Sequence, residues 1–181
     1  QPLHQGKGWK IHFFRLYLMQ FSPNLTVLHG AFMTTIWPLP QIDIRSISTV
    51  QETRPAALLT GTNSWNALNG QLKLPLVIQA EPHQAELDYF KSLAKDLPPQ
   101  VQVVYSVGGG LAADAAKYIG WANKLPVVII PTALSVDGYF TSIVAVRENG
   151  TVHYVDTGAA KQVIIDWDII SSAPAHLRGT G

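Results

Sequence analysis

Apolar runs of strand length recur along the chain, separated by polar or helix-forming segments. Residues 55–61, 74–80, 101–107 and 125–130 are such runs, and the last two are rich in β-branched side chains. Runs of this length that are bounded by glycine, proline or polar residues predict buried β-strands. Residues 41–47 alternate apolar with polar side chains, and this pattern predicts a half-buried strand.

Helical patterns lie between these strands. Residues 82–97 carry apolar side chains at helical spacing before a Pro-Pro stop, and residues 64–68 form a shorter helical segment. Residues 111–119 are largely good helix formers, and we expect their helix to end at Gly120. The alternation of strands and helices predicts an α/β fold, a Rossmann-like parallel sheet with flanking helices.

A β-hairpin is predicted after this unit. Residues 140–147 and 151–155 flank Asn149-Gly150, and both of these residues tolerate the positive φ angles of a two-residue hairpin turn. A further short strand is predicted at residues 162–166, before a helix start near Pro174. The hairpin is therefore an addition to the parallel sheet.

Three consecutive glycines join the strand at residues 101–107 to the helix that follows. Gly108, Gly109 and Gly110 lack side chains, so the backbone can approach a ligand closely. The following helix offers unpaired N–H groups and a positive dipole end, which suit a diphosphate. The alternative is a tight turn without a ligand. The G-x-G-x-x-G fingerprint is absent, because Leu111 and Ala113 occupy two of the positions it would need.

Two motifs carry a family resemblance. The first is the triple glycine followed by Asp114 and Lys117, and the second is Pro-Thr-x-x-Ser-x-Asp-Gly at residues 131–138. Together they resemble the superfamily of iron-containing alcohol dehydrogenases, glycerol dehydrogenases and dehydroquinate synthases, and most closely its glycerol-1-phosphate dehydrogenase branch. Residues 163–166 and 172–178 resemble its continuation, so that the resemblance covers roughly residues 55–181.

The resemblance implies a set of site residues. Its cofactor-binding residues would be Gly108, Gly109, Gly110, Asp114, Thr132, Ser135 and Thr141. It implies that Asp137 contacts substrate hydroxyl groups. The alternatives are local roles: turn capping by Thr132 and Ser135, a turn acid at Asp137, and a first-turn acid paired with Lys117 at Asp114.

The activity that the resemblance implies is metal-dependent reduction of a small ketone by NAD or NADP in its reduced form, with dihydroxyacetone phosphate as the best substrate. Other interpretations are a polyol dehydrogenase, a dehydroquinate-synthase-like enzyme and a non-catalytic nucleotide-binding module. Where several relatives carry an acid that selects NAD, this chain has residues 60–63, Thr-Gly-Thr-Asn. Glu81, after the next predicted strand, is a candidate to replace that acid, and the choice between the two cofactors stays open.

The divalent metal, zinc or iron, would bind outside this sequence. In the resembled family an Asp just beyond the position of Gly181 and two histidines of a following all-helical domain hold it. No metal ligand or catalytic residue is therefore predicted in this chain, and its six histidines lack ligand-like spacing. We expect residues 33–181 to be an NAD(P)-binding domain, truncated before the metal-binding domain and inactive alone. Residues 1–32 would be an extension of uncertain origin, with Met33 as the native start or with an amphipathic helix before it.

The composition of the chain narrows the classes of partner and location that remain. The 181 residues are 47% hydrophobic and 14% charged, with a net charge of +1, as in one globular domain. The scattered basic residues argue against nucleic acid, and apolar stretches too short to span a bilayer argue against a membrane. The chain has no cysteine, which is compatible with the cytoplasm. A small-molecule substrate is the expected partner, and a homo-oligomer is left open.

Overall fold

A six-stranded parallel sheet forms the centre of the protein, as the sequence predicts. The computed structural model describes residues 39–178, so the expected boundary near Met33 and the extension before it lie outside the described residues. The strands are β1 (Gln41–Ile44), β2 (Ala56–Thr60), β3 (Leu76–Ala80), β4 (Val103–Gly108), β5 (Val127–Pro131) and β8 (Gln162–Ile165). Their order in the sheet is β1-β8-β5-β4-β2-β3, and every neighbouring pair is parallel. Because parallel strands share one direction, the carboxyl ends of β2, β3, β4 and β5 lie at one edge.

Helices cover the two faces of the sheet. They are α1 (Thr62–Ala67), α2 (Leu87–Lys95), α3 (Gly110–Asn123), α4 (Trp167–Ser172) and α5 (Ala175–Arg178), with 3-10 turns at Ile47–Thr49 and Asp137–Tyr139. Successive residues of β4 point to opposite faces: Val104 belongs to one apolar core with α2 and α3, and Tyr105 to the other. Both faces of the central strands are therefore buried, which explains their continuous apolar sequences.

Helix α3 continues past the predicted end at Gly120. It runs to Asn123 and closes at Lys124, whose φ of 57° is left-handed. That prediction was wrong because Gly120 serves packing rather than termination. A Cβ at Gly120 would lie 2.2 Å from Cγ2 of Val127 on β5. The glycine thus lets helix and sheet approach closely.

Other predicted elements have different bounds or surroundings. Helix α2 begins at Leu87 rather than residue 82. Strand β1 lies at one edge of the sheet, where Ile42 and Ile44 are exposed rather than half-buried. Within the described residues, no helix has the length and apolar character that crossing a membrane requires.

The added hairpin is confirmed. Strands β6 (Ile143–Glu148) and β7 (Thr151–Asp156) pair antiparallel, and Asn149 and Gly150 have φ angles of 52° and 77°. Two consecutive positive φ angles are typical of a type I′ turn. The backbone N–H of Arg147 donates to the carbonyl of Ala85 at 2.7 Å, which ties the hairpin to the segment before α2.

A nearly buried carboxylate lies before β2. Glu52, whose side chain is 5% exposed, accepts from the guanidinium of Arg54 at 2.9 and 2.7 Å and from the hydroxyl of Tyr105 at 2.9 Å. The hydrogen bond from Arg54 is the main reason that the pKa of Glu52 falls to about 2. Folding therefore favours the ionised carboxylate.

The lowered pKa of Glu52 predicts that the protein loses stability in acid. The pKa of this carboxylate is lower in the folded than in the unfolded chain, so its contribution is complete above the ordinary pKa of 4.5 and disappears as the pH falls toward 2. We expect Glu52→Gln to remove about 1–2 kcal/mol of the pH-dependent free energy of unfolding. The effect is this small because solvent screens the charge of the half-exposed Arg54. Urea unfolding at pH 7, 4.5 and 3 measures it, with the exposed Asp96→Asn as control. Equal pH dependence in wild type and Glu52→Gln would contradict the assignment.

Candidate functional site

The glycine turn lies at the carboxyl edge of the sheet. Gly108 ends β4 with a φ of 143°, which side chains rarely tolerate, and Gly109 precedes the first residue of α3 in an ordinary extended conformation. A Cβ at Gly109 would meet no heavy atom within 4 Å, and no side chain caps the helix at this residue. The turn therefore leaves open space in front of the first N–H groups of a 14-residue helix. This arrangement fits an anionic group such as the diphosphate of a dinucleotide.

Ser64 joins the site, although sequence reasoning did not assign it a role. Its Oγ would lie 3.0 Å from a Cβ at Gly108, and it is 3.5 Å from Oγ1 of Thr132. Helix α1 therefore brings a hydroxyl between the ends of β4 and β5. A hydroxyl residue in the first turn of a helix after a neighbouring strand was the available signal.

Thr132 begins the loop after β5, beside the glycine turn. Its backbone N–H donates to the carbonyl of Gly108 at 3.3 Å. Further along the loop, Val136 lies against Gly110, since a Cβ at that glycine would be 3.2 Å from Cγ2 of Val136. The structure thus brings the two sequence motifs together.

The other predicted loop residues have neighbours within the loop. Desolvation raises the pKa of the buried Tyr139 phenol, and the side chain of Ser135 opposes that shift. Asp137 is exposed and starts a 3-10 turn. The hydroxyl of Thr141 donates to the carbonyl of Ile143 at 3.5 Å. These contacts agree with local roles and leave cofactor and substrate binding as predictions.

Asp114 and Lys117 form an ion pair on α3. Their Oδ1 and Nζ are 3.5 Å apart, and the Lys117 side chain is 1% exposed. Burial raises the pKa of Asp114 and lowers that of Lys117, while the attraction between the two charges opposes both shifts. The predicted structural pairing is therefore present, and a cofactor role for Asp114 stays a prediction.

Glu81 follows the carboxyl end of β3. Its Oε2 accepts from Oγ1 of Thr62 at 3.2 Å, and its Oε1 would lie 3.2 Å from a Cβ at Gly61. The carboxylate therefore lies beside Gly61 and Thr62, at the start of α1 and after the end of β2. An acid near the end of such a strand commonly binds the ribose of a dinucleotide.

Metal ligands are not assembled in this part of the protein. Among residues 39–178, no group of three or more His, Cys, Asp or Glu side chains has a metal-binding arrangement. The residues present do not fit the metal that the resemblance implies.

Comparison with protein families agrees with the motifs. The model described as "Iron-containing alcohol dehydrogenase" matches residues 44–174. Glycerol-1-phosphate dehydrogenase [NAD(P)+] of Methanothrix thermoacetophila is 33% identical over 106 residues, which cover 59% of this chain and 29% of that protein. Glycerol dehydrogenase 1 of Schizosaccharomyces pombe is 31% identical over 149 residues, which cover 71% and 31%. The chain spans about a third of the length of these relatives.

Solved structures share the fold. The crystal structure of glycerol dehydrogenase from Schizosaccharomyces pombe superposes with a TM-score of 0.63 at 26% identity, covering 78% of this chain and 41% of the other. A probable glycerol dehydrogenase from Sinorhizobium meliloti 1021 has a TM-score of 0.68 at 19% identity, covering 78% and 43%. The second similarity, at this low identity, concerns the fold alone.

Proposed function

We propose, because this chain belongs to the iron-containing alcohol dehydrogenase family, that it is the dinucleotide-binding part of an NAD(P)H-dependent oxidoreductase. The observation that carries the proposal is the open glycine turn at Gly109, in front of the uncapped start of α3. In open α/β sheets, ligands bind outside the carboxyl ends of the strands, and this turn lies there.

The chain's own residues would orient the cofactor and a substrate. The N–H groups after Gly109 would hold the diphosphate, and the hydroxyls of Thr132 and Ser135 would bind the nicotinamide ribose. When bound, the reduced nicotinamide supplies a hydride to a carbonyl carbon, and a proton completes the alcohol. The exposed carboxylate of Asp137 would accept hydrogen bonds from substrate hydroxyls.

The substrate we favour is dihydroxyacetone phosphate, reduced to sn-glycerol 1-phosphate. Its support is the similarity to glycerol-1-phosphate dehydrogenases and the motif at residues 131–138. A glycerol dehydrogenase is the second candidate, because a relative of that name matches 71% of the chain. Activity of the whole protein that requires the substrate phosphate would separate the two.

Cofactor binding tests the proposed function directly. We expect this chain to bind NADH in a calorimetric titration, and to bind it about tenfold more tightly than NADPH, a difference of about 1.4 kcal/mol. The reason for the preference is Glu81, whose carboxylate would accept from a ribose 2′-OH and repel a 2′-phosphate. Absence of saturable binding to both nucleotides would contradict the proposed function.

A variant separates cofactor preference from cofactor binding. Glu81→Gln keeps the size of the side chain and removes its charge, so the preference should fall to within about threefold while NADH still binds. Asp96→Asn makes the same change at an exposed acid after α2 and serves as the matched control. Unchanged selectivity in Glu81→Gln would exclude Glu81 as the determinant.

A further inference from the structure

Lys117 reaches from α3 to the backbone of the loop after β5. Its Nζ donates to the carbonyls of Gly138 at 2.7 Å, Thr141 at 3.3 Å and Ile143 at 2.7 Å. An ammonium group has three donors and no acceptor, so these three carbonyls use all of its hydrogen bonds. The side chain is therefore committed to the loop, and Asp114 adds a balancing charge at 3.5 Å.

The loop depends on such side-chain contacts because it has little regular structure. Between Pro131, the end of β5, and Ile143, the start of β6, it contains one 3-10 turn, Asp137–Tyr139. Within this turn, Tyr139 is fully buried and its hydroxyl donates to the carbonyl of Ala133 at 2.9 Å. Tyr139 thus fixes the inner side of the loop, and Lys117 fixes the segment on both sides of Thr141.

The Asp114 carboxylate completes the attachment. The backbone of Ala145 in β6 favours its charged form and opposes the rise that burial causes in its pKa, and its Oδ1 would lie 3.7 Å from a Cβ at Gly138. The two charged residues of α3 therefore lie against the same stretch of backbone, and the lysine donates to three of its carbonyls. Buried carbonyl groups require such partners.

We propose that Lys117 is a positioning residue, whose ammonium holds the loop between β5 and β6 so that Thr132, Ser135 and Asp137 face the nicotinamide half of the dinucleotide. This inference rests on the proposed function. The glycine turn belongs to β4 and α3 and meets the loop at Thr132 and Val136, whereas Lys117 holds the later stretch, residues 138–143. Loss of the Lys117 contacts should therefore weaken binding of the nicotinamide half selectively.

ADP and NADH separate the two halves of the site. ADP contains the adenosine and the diphosphate, whereas NADH adds the second ribose and the nicotinamide. In Lys117→Met, which keeps the length and removes the charge, we expect affinity for NADH to fall about tenfold or more, since hydrogen bonds to charged groups contribute strongly. Affinity for ADP should change by less than about threefold. Both are measured by calorimetric titration, with the exposed Lys95→Met as matched control.

Each outcome decides between the inference and its premise. Equal losses for the two ligands, or no loss for either, would overturn the positioning role and leave the proposed function intact. Failure of the unaltered protein to bind both ligands would overturn the proposed function and the inference with it. If Lys117→Met does not fold, Asp114→Asn keeps the size of the side chain and removes the charge that balances Lys117. It should then show the same selective loss at about threefold, and an unselective change would overturn the inference.

Discussion

Replacing Gly109 with leucine is expected to abolish dinucleotide binding without unfolding the protein. Gly109 has φ and ψ of −89° and −169°, which any residue adopts, and a Cβ there meets nothing within 4 Å. A larger side chain at Gly109 therefore fits the protein itself. It occupies the space through which a diphosphate must reach the N–H groups of α3, each of which would make a charge-assisted hydrogen bond of about 1.5–3 kcal/mol. We expect a loss of affinity of at least about 100-fold.

Titration with NADH and the melting temperature test this expectation together. Gly109→Ala places a single methyl group in the same space and should have a smaller effect, which makes it the graded control. Binding of NADH by Gly109→Leu with unchanged affinity would show that the cofactor does not approach this turn. The neighbouring Gly108→Ala should instead lower stability, because it combines a φ of 143° with a contact of 3.0 Å to Oγ of Ser64.

Gly120→Ala should destabilise the protein, although alanine is the better helix former. The added Cβ would lie 2.2 Å from Cγ2 of Val127 and 3.1 Å from the carbonyl oxygen of Leu125. Overpacking of this kind costs about 1–3 kcal/mol. The gain from helix propensity is about 1 kcal/mol and acts in the opposite direction. Because a contact of 2.2 Å belongs to the upper part of that range, we expect a net loss in the free energy of unfolding of about 1–2 kcal/mol.

A double-mutant cycle measured by urea unfolding identifies the cause of that loss. Val127→Ala removes the methyl group that Gly120→Ala would meet. Gly120→Ala should therefore lower the free energy of unfolding by less in the Val127→Ala background than in the wild type. The recovery should be partial, because the contact with the Leu125 carbonyl remains. An increase in stability on Gly120→Ala alone would contradict close packing at this position.

The resemblance stated from two motifs is confirmed at the level of the family, and the parallel sheet is confirmed in the structure. These features were predictable because their signals are local. Buried parallel strands require continuous apolar runs, and the hairpin turn requires residues such as Asn149 and Gly150 that accept positive φ. Gly120 shows the limit, because a glycine near a helix end has the same local signal whether it terminates the helix or lets a strand approach.

The sequence by itself determined the fold class and the glycine turn, and it gave the pairing of Asp114 with Lys117 as one of two interpretations. Strand composition, turn chemistry and the three-residue spacing along a helix act between near neighbours. Only the tertiary structure decided what these groups meet. Lys117 reaches carbonyls 21, 24 and 26 residues away, and Ser64 meets Thr132 across 68 residues. Such contacts depend on strand order and on the path of an irregular loop. Every residue has a backbone carbonyl, so the sequence does not indicate which carbonyls a lysine will meet.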